Sequence, residues 1–179
     1  IFLMNVLNPI DVLEQLNKTE LFQNWKNEHS KDFLSHFFSS LTRDFQAKTN
    51  WDIGFFDPDT EKITIFTHEN ENNFLIKPEE DVFKKNDSVV EKLEIEKVKF
   101  SFDDAIKLLQ EKIPELFPKE QLGDGFVILQ KFSNNILWNF TFMSLSMRFL
   151  NIKINAEDGE IKSHQTVNVI QKDQDISHK

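Results

Sequence analysis

Two histidines and an aspartate are spaced so that they could bind a metal ion. His29, Asp32 and His36 fall at positions i, i+3 and i+7 of a segment that we predict to be helical, and hence on one helix face. Two imidazoles and a carboxylate are the ligand types of the facial triad that holds non-haem iron. The first and the last are two turns apart, however, which is about 10 Å along the axis and too far for one ion. We therefore interpret these residues as a polar solvent face and predict no metal site.

The other patterns that resemble functional motifs are incomplete. Residues 57–61 begin like a calcium loop, but Lys62 and His68 stand where such a loop needs a glycine and a glutamate, so we predict a hairpin turn. The four glycines form no phosphate-binding loop and no nucleophile elbow, and the chain has no cysteine. We interpret the pair of glycines at 123–125 as part of a connecting loop. The sequence thus predicts no catalytic residue and no cofactor, and we expect a protein that is not an enzyme.

Charge and composition exclude several classes of partner. The 179-residue chain has a net charge of −9 and no basic stripe, so we expect neither nucleic acid nor an anionic membrane surface as a partner. No apolar run approaches the roughly 18 residues that span a bilayer, and we recognise no signal peptide. The 19 phenylalanines and the absence of tyrosine favour a core built on phenylalanine. We expect a soluble protein, cytoplasmic by default.

The first half is predicted to begin with helices and then to change to strands. Asn8-Pro9 and Thr19 are start signals for two short helices. A third helix over residues 31–46 is predicted by an apolar stripe at helical spacing, namely Leu34, Phe37, Phe38, Leu41 and Phe45. Alternating apolar residues around a turn predict a β-hairpin over residues 51–68. The half is completed by a short strand at 74–76, a helical turn from Pro78 through Phe83, and a polar connector at 84–92.

The second half is predicted to be one helix followed by an antiparallel sheet. A strand at 93–98 leads to Ser101, which caps a helix over residues 101–113 with Asp104 at the capping-box position. Four strands are predicted after this helix, followed by a frayed tail at 172–179; the strands are 126–132, 136–146, 148–155 and 160–170. Each half therefore has helix first and strands second. We predict an α+β fold, either as a single domain over 1–179 or as two half-modules at 1–90 and 91–171.

Two segments of the second half carry a family pattern. They are VKFSFDDAI at residues 98–106 and LNIKINAEDGEI at 150–161, and the aromatic strand WNFTF at 138–142 lies between them. With these segments, residues 93–161 resemble the PepSY family, although Asn155 stands where that family usually has Asp. The resemblance implies a cystatin-like arrangement in which a curled antiparallel sheet grips one helix. It also implies a binding role, since some members of the family are thought to restrain peptidases, and it transfers no catalytic set.

The late strands have apolar residues on both faces, so each face of the sheet needs a cover. We expect the helix at 101–113 to cover one face and the N-terminal helices to cover the other. A homodimer or a bound partner is the alternative cover.

The leading functional hypothesis is a binding or regulatory module whose partner is a protein, with a peptidase as one class. Strand alternation predicts its interaction face on the polar side of residues 136–155: Asn139, Thr141, Asn151 and Lys153, with Arg148 beside them. The alternative is a small-ligand-binding protein or a small enzyme. That alternative predicts a cavity lined by phenylalanine with polar residues such as His68, His164, Arg148 or Asn139.

Overall fold

The structure is a computed structural model that describes residues 7–81 and 88–169, and it consists of two halves with a similar order of elements. In the first half two helices precede four strands: α1 Pro9–Asn17, α2 Glu20–Glu28, β1 Phe33–Leu41, β2 Asp52–Asp57, β3 Lys62–Asn70 and β4 Asn73–Asp81. In the second half one helix precedes four strands: α3 Phe102–Leu116, β5 Leu122–Phe132, β6 Asn135–Ser144, β7 Arg148–Asn155 and β8 Ile161–Asn168. This confirms the predicted α+β class, with antiparallel sheet as its larger part.

All the strands of the described residues form one eight-stranded antiparallel sheet, in the order β4-β3-β2-β1-β5-β6-β7-β8. Each half contributes a meander in which consecutive strands pair. The two meanders are joined through their first strands, with Phe37 of β1 opposite Leu129 of β5. Because these first strands meet at the centre, the two halves extend outward in opposite directions from one antiparallel pair.

The three helices begin where the capping signals predict. The Asn8 side chain accepts a hydrogen bond from the backbone N–H of Ile10 at 3.1 Å, and Thr19 Oγ1 accepts one from Phe22 N–H at 3.2 Å. Ser101 Oγ accepts from the backbone N–H of Asp104 at 3.1 Å. These side chains satisfy N–H groups that the first helical turn leaves without partners. Helix α3 ends three residues later than predicted, because Pro114 is accommodated in its last turn.

The predicted third helix over residues 31–46 is wrong: its centre is strand β1. Leu34, Phe37 and Leu41 are buried, as predicted, but Phe38 lies on the opposite face of the sheet, where its ring packs on Phe126. A register irregularity between Leu34 and His36 places one extra residue in the strand and changes the alternation from that point. Since β1 pairs on both sides and is apolar on both faces, its pattern imitates helical spacing.

Two further predictions in the connecting region are also wrong. Pro78 does not open a helical turn but lies within β4, which continues to Asp81. Residues 93–98 form no strand; they contain a single 3₁₀ turn at Ile95–Lys97, with the Leu93 N–H donating to the Leu34 carbonyl at 2.8 Å. Part of the predicted polar connector lies outside the described residues. Phe83 and the predicted tail at 172–179 lie wholly outside them.

The remaining strands and turns agree with the sequence. The β2–β3 hairpin is turned by Asp57, whose carboxylate accepts from Asp59 N–H at 2.8 Å and from the Thr60 hydroxyl at 2.9 Å. Ser133 and Asn134 both have positive φ and form the two-residue turn between β5 and β6. Strand β5 starts earlier than predicted, so the Gly123–Gly125 segment lies in a strand and not in a connecting loop.

The three α-helices of residues 7–81 and 88–169 cover the same face of the sheet. Phe22 of α2 packs on Phe55 and Phe66, with ring centroids 5.2 and 5.4 Å away. Phe102 of α3 packs between Trp51 and Trp138, at 5.3 and 5.6 Å. The strand register places these partner rings on one side of the sheet, and the helix residues belong to the same buried cluster. The expectation that the N-terminal helices cover the second face is therefore wrong, because they lie beside α3 and not opposite it.

Candidate binding site

The surface of the sheet that points away from the three helices is called here the open face. At its centre Phe38 packs beside Phe126, with ring centroids 5.7 Å apart. Toward β8 the open face carries Phe149 and Val167, which are opposite each other in the register and are 37% and 48% exposed. Among the described residues no helix covers these side chains, so the open face presents aromatic and aliphatic groups to solvent.

A row of polar side chains crosses the open face, and it contains four of the five predicted interaction residues. Asn139 pairs with Lys153, and Thr141 pairs with Asn151, in the β6–β7 register. The Nδ2 of Asn151 donates to Asn139 Oδ1 at 2.7 Å and to Thr141 Oγ1 at 3.0 Å. The Nζ of Lys153 lies 5.9 Å from the ring centroid of Phe132, within cation–π range. The row is thus preorganised by its own hydrogen bonds.

Arg148, the fifth predicted residue, does not join this row. It has the same alternation as Leu150, which is buried on the helix side, and it stands at the exposed start of β7. Its guanidinium donates to Glu120 Oε1 at 2.9 Å. Hydrogen bonding from the Ser146 hydroxyl is the main reason that the pKa of Glu120 is lowered. Arg148 therefore fixes the β6–β7 turn to the segment after α3.

The polar residues predicted for a phenylalanine-lined cavity are not brought together. His68 lies near one edge of the sheet, where its Nε2 is 2.8 Å from the Glu71 carbonyl and its ring contacts Phe74. His164 lies near the other edge and meets the ring of Phe117 edge-on at 5.9 Å. Asn139 is on the opposite face from both, because its register partners belong to the open face.

The metal-like set of the sequence is also separated. His29 ends α2, and its ring stacks on Trp25 at 4.7 Å, while Asp32 lies in the loop before β1. Burial is the main reason that the pKa of Asp32 is raised, and the nearby Asp57 carboxylate raises it further. His36 lies within β1 on the open face, so the three do not share a helix face. In residues 7–81 and 88–169 no group of three or more histidine and carboxylate side chains is placed to hold a metal ion.

A second feature of the open face was not predicted from the sequence: a cavity beside His36. The imidazole of His36 lies directly over Gly54 of β2, so close that a Cβ at Gly54 would be 2.2 Å from Cε1. Ser35, at the strand irregularity, lies with its Oγ 2.8 Å from Nδ1 of His36. The cavity has a volume of about 170 Å³. An isolated glycine inside a strand signals a close approach of this kind, but the approaching side chain is set by the β1–β2 register.

Burial of the imidazole lowers the pKa of His36 to about 4, although the carboxylate of Asp52 acts in the opposite direction. The side chain is therefore neutral near pH 7. A neutral imidazole has one N–H donor and one nitrogen acceptor, so this cavity contains a hydrogen-bonding group without a charge.

Comparisons with known proteins identify no family for this chain. No protein-family model matches the sequence, and no curated protein is similar to it at a significant level. Among solved structures, the chain is similar to the crystal structure of a putative lipoprotein from Clostridium difficile 630, with 14% sequence identity and a TM-score of 0.49. That similarity covers 82% of this chain and 90% of the other. None of the helices in the described residues is long and apolar enough to cross a bilayer. The PepSY resemblance of residues 93–161 stays a prediction.

Proposed function

We propose that this chain is a non-enzymatic binding module that holds a protein partner on the open face. The observation that carries the proposal is the placement of all three helices on the other side of the sheet. A sheet face that is apolar at its centre and is not covered by the helices of the described residues is a typical site of protein association.

The groove and the polar side chains of the open face are features of a protein-binding surface and not of a flat, solvated one. A shallow groove of about 220 Å³ runs beside Phe126, Met143 and Phe149. Next to it lies the polar row of Asn139, Thr141, Asn151 and Lys153. Protein interfaces commonly have aromatic anchors at the centre and hydrogen-bonding polar groups around them.

The partner is proposed to be a different protein and not a second copy of this chain. Each copy has a net charge of −9, and two such copies repel each other. A partner that is neutral or basic has no such penalty, and a basic partner is also steered toward the acidic chain. A peptidase is the class to test first, because the resemblance to PepSY implies it. The cytoplasm stays the predicted compartment.

The test is capture of a partner by the immobilised full chain, followed by affinity measurement with variants. Phe126→Lys and Phe149→Lys each place a charge on the open face. Loss of an aromatic anchor typically costs about 2 kcal/mol or more, so we expect binding to weaken about 30-fold. Leu21→Lys is the matched control, since Leu21 is equally apolar and 37% exposed but lies on α2.

The proposal requires that the partner bind the wild-type chain and Leu21→Lys equally well. Urea unfolding of each variant must show that the fold is retained. Equal affinity of both phenylalanine variants for the partner would contradict the assignment of the open face. A concentration-dependent dimer in sedimentation equilibrium, lost in the same two variants, would replace the foreign partner with a second copy.

A further inference from the structure

A protein bound at the polar row and the aromatic groove would not involve the cavity beside His36. The cavity lies at the end of the open face where β1, β5 and the connector at 88–91 meet. The wall residues include Ser35, His36, Ile63, Gln130 and Phe132. Its polar groups and its apolar groups therefore come from different segments and converge on one space, which is typical of a small-molecule site.

The imidazole is held in one orientation by three features of the sheet. Gly54 leaves room for the ring to lie against the β2 backbone, where any Cβ would collide with it. The extra residue between Leu34 and His36 re-aims the side chains that follow it. Ser35 Oγ lies 2.8 Å from Nδ1 and 3.1 Å from the carbonyl oxygen of Gly54.

The hydrogen bonds of Ser35 also assign the tautomer of His36. The Gly54 carbonyl can only accept, so the single hydroxyl proton of Ser35 is donated to it. The Ser35 oxygen then accepts from Nδ1–H, which makes Nε2 the unprotonated nitrogen. Nε2 is then the acceptor that this ring holds in a fixed orientation beside the cavity.

The other groups of the cavity disfavour an anionic ligand and provide both a donor and an acceptor. Gln130 lies opposite His36 in the β1–β5 register, and its amide offers one acceptor and two donors. Lys131 is already paired with Glu94 at 2.6 Å, and Glu91 accepts from Asn134 N–H at 3.1 Å. Because Lys131 is paired, an anionic ligand would lose its hydration without finding a free cation among these groups.

We propose that this cavity binds a small, uncharged, planar molecule that donates an N–H or O–H hydrogen bond to Nε2 of His36 and pairs with the amide of Gln130. Its volume of about 170 Å³ is close to that of an apolar cavity of about 150 Å³ that accepts benzene. The ligand class is therefore a single ring with N–H next to C=O, such as a lactam or an imide. This proposal is independent of a protein partner on the open face.

The test uses 2-pyridone as the probe, because it is a neutral single ring with N–H beside C=O. Titration is followed by the ¹⁵N signals of the histidine rings in the wild-type chain. We expect the Nε2 signal of His36 to move from the position of a free acceptor, while the signals of His164, which lies on the other face, stay fixed. N-methyl-2-pyridone has the same shape without the donor and should bind at least tenfold more weakly.

Two variants separate a specific site from a passive cavity. Gln130→Ala should weaken 2-pyridone binding several-fold, and His36→Ala should abolish it, with both variants checked for folding by circular dichroism. The proposal is overturned if 2-pyridone leaves the His36 signals unchanged up to its solubility limit. It is equally overturned if N-methyl-2-pyridone or benzene binds as tightly as 2-pyridone, since the polar groups would then select nothing.

Discussion

Gly54→Ala is the substitution whose effect the structure determines most closely. The new Cβ would lie 2.2 Å from Cε1 and 2.5 Å from Nδ1 of His36, distances that real Cβ atoms do not show. The backbone of Gly54 has no positive φ, so the strand itself tolerates alanine. The imidazole must therefore move, and its contact with Ser35 Oγ at 2.8 Å is lost with it.

The expected cost follows from three contributions. Forcing extra atoms into a packed site costs about 1–3 kcal/mol, and losing the hydrogen bond costs about 0.5–1.5 kcal/mol. Replacing glycine by alanine within a strand stabilises the fold by about 0.5–1 kcal/mol, because the unfolded chain loses conformational freedom. The net loss in the free energy of unfolding should be about 2 kcal/mol, which corresponds to a fall of about 6 °C in Tm for a chain of this size.

The assay is urea unfolding of a double-mutant cycle between Gly54→Ala and His36→Ala. In the His36→Ala background the clash has been removed, so Gly54→Ala should be neutral or stabilising by about 0.5 kcal/mol. Gly125→Ala is the control, because its Cβ would meet the backbone oxygen of Thr141 at 2.2 Å and should cost the same in either background. If Gly54→Ala costs the same with and without His36, the reasoning that assigns its cost to the imidazole is refuted.

Three other predictions concern the histidine and the helix α3. The pKa of His36 is about 4 in the folded chain and about 6.5 in the unfolded chain. Between these two pH values the unfolded state binds more protons than the folded state. Lowering the pH from 6.5 to 4 should therefore remove about 3 kcal/mol from the free energy of unfolding. Urea unfolding of His36→Gln over the same range should show a smaller loss, and an equal loss would mean that other groups cause it. Ser101→Ala removes the hydrogen-bond acceptor of the Asp104 N–H and should lower the free energy of unfolding by about 1 kcal/mol. Ser101→Asp should largely retain stability, because aspartate can also cap the helix. An equal loss in both variants would argue against the cap. Leu109 is only 1% exposed, so Leu109→Ala should lower the free energy of unfolding by about 2–5 kcal/mol. Gln110→Ala, on the exposed side of the same helix, should leave it within about 0.5 kcal/mol of wild type. Similar costs for the two variants would contradict the assigned face of α3.

Local sequence signals predicted the elements whose contacts are mainly local. The cap at Ser101 and the apolar face that follows it identified α3. The Asp57 turn and the alternation around it identified the β2–β3 hairpin. In these segments each residue makes its defining hydrogen bonds with near neighbours in the chain, so type and spacing were sufficient.

Strand β1 was misread because its structure depends on distant partners. Its hydrogen bonds go to β2 and to β5, and the latter is about 90 residues away in the chain. Phe38 is apolar because it packs on Phe126 on the open face, and not because it shares a helical stripe with Leu34 and Leu41. The irregularity at Ser35 removed the strict alternation that would have indicated a strand.

The candidate site, too, has features that the sequence could predict and features that it could not. Alternation along β6 and β7 placed Asn139, Thr141, Asn151 and Lys153 on one face, because a side chain two residues along a strand always returns to the same side. Arg148 was grouped with them only by nearness in the chain, and its alternation puts it with Leu150 instead. The pairing of His36 with Gly54 could not be inferred, since a shift of one residue in the β1–β2 register would place another side chain over the glycine.

The sequence by itself therefore determined the α+β class, the starts of the three helices, the β2–β3 hairpin and the polar row, since these follow from propensity and periodicity within short segments. Only the tertiary structure decided that β1 and β5 join the halves into one sheet, that all three helices share one face, and that His36 rests on Gly54 beside a cavity. These features depend on strand register and on pairing between residues far apart in the chain, and neither is encoded in the spacing of any one segment.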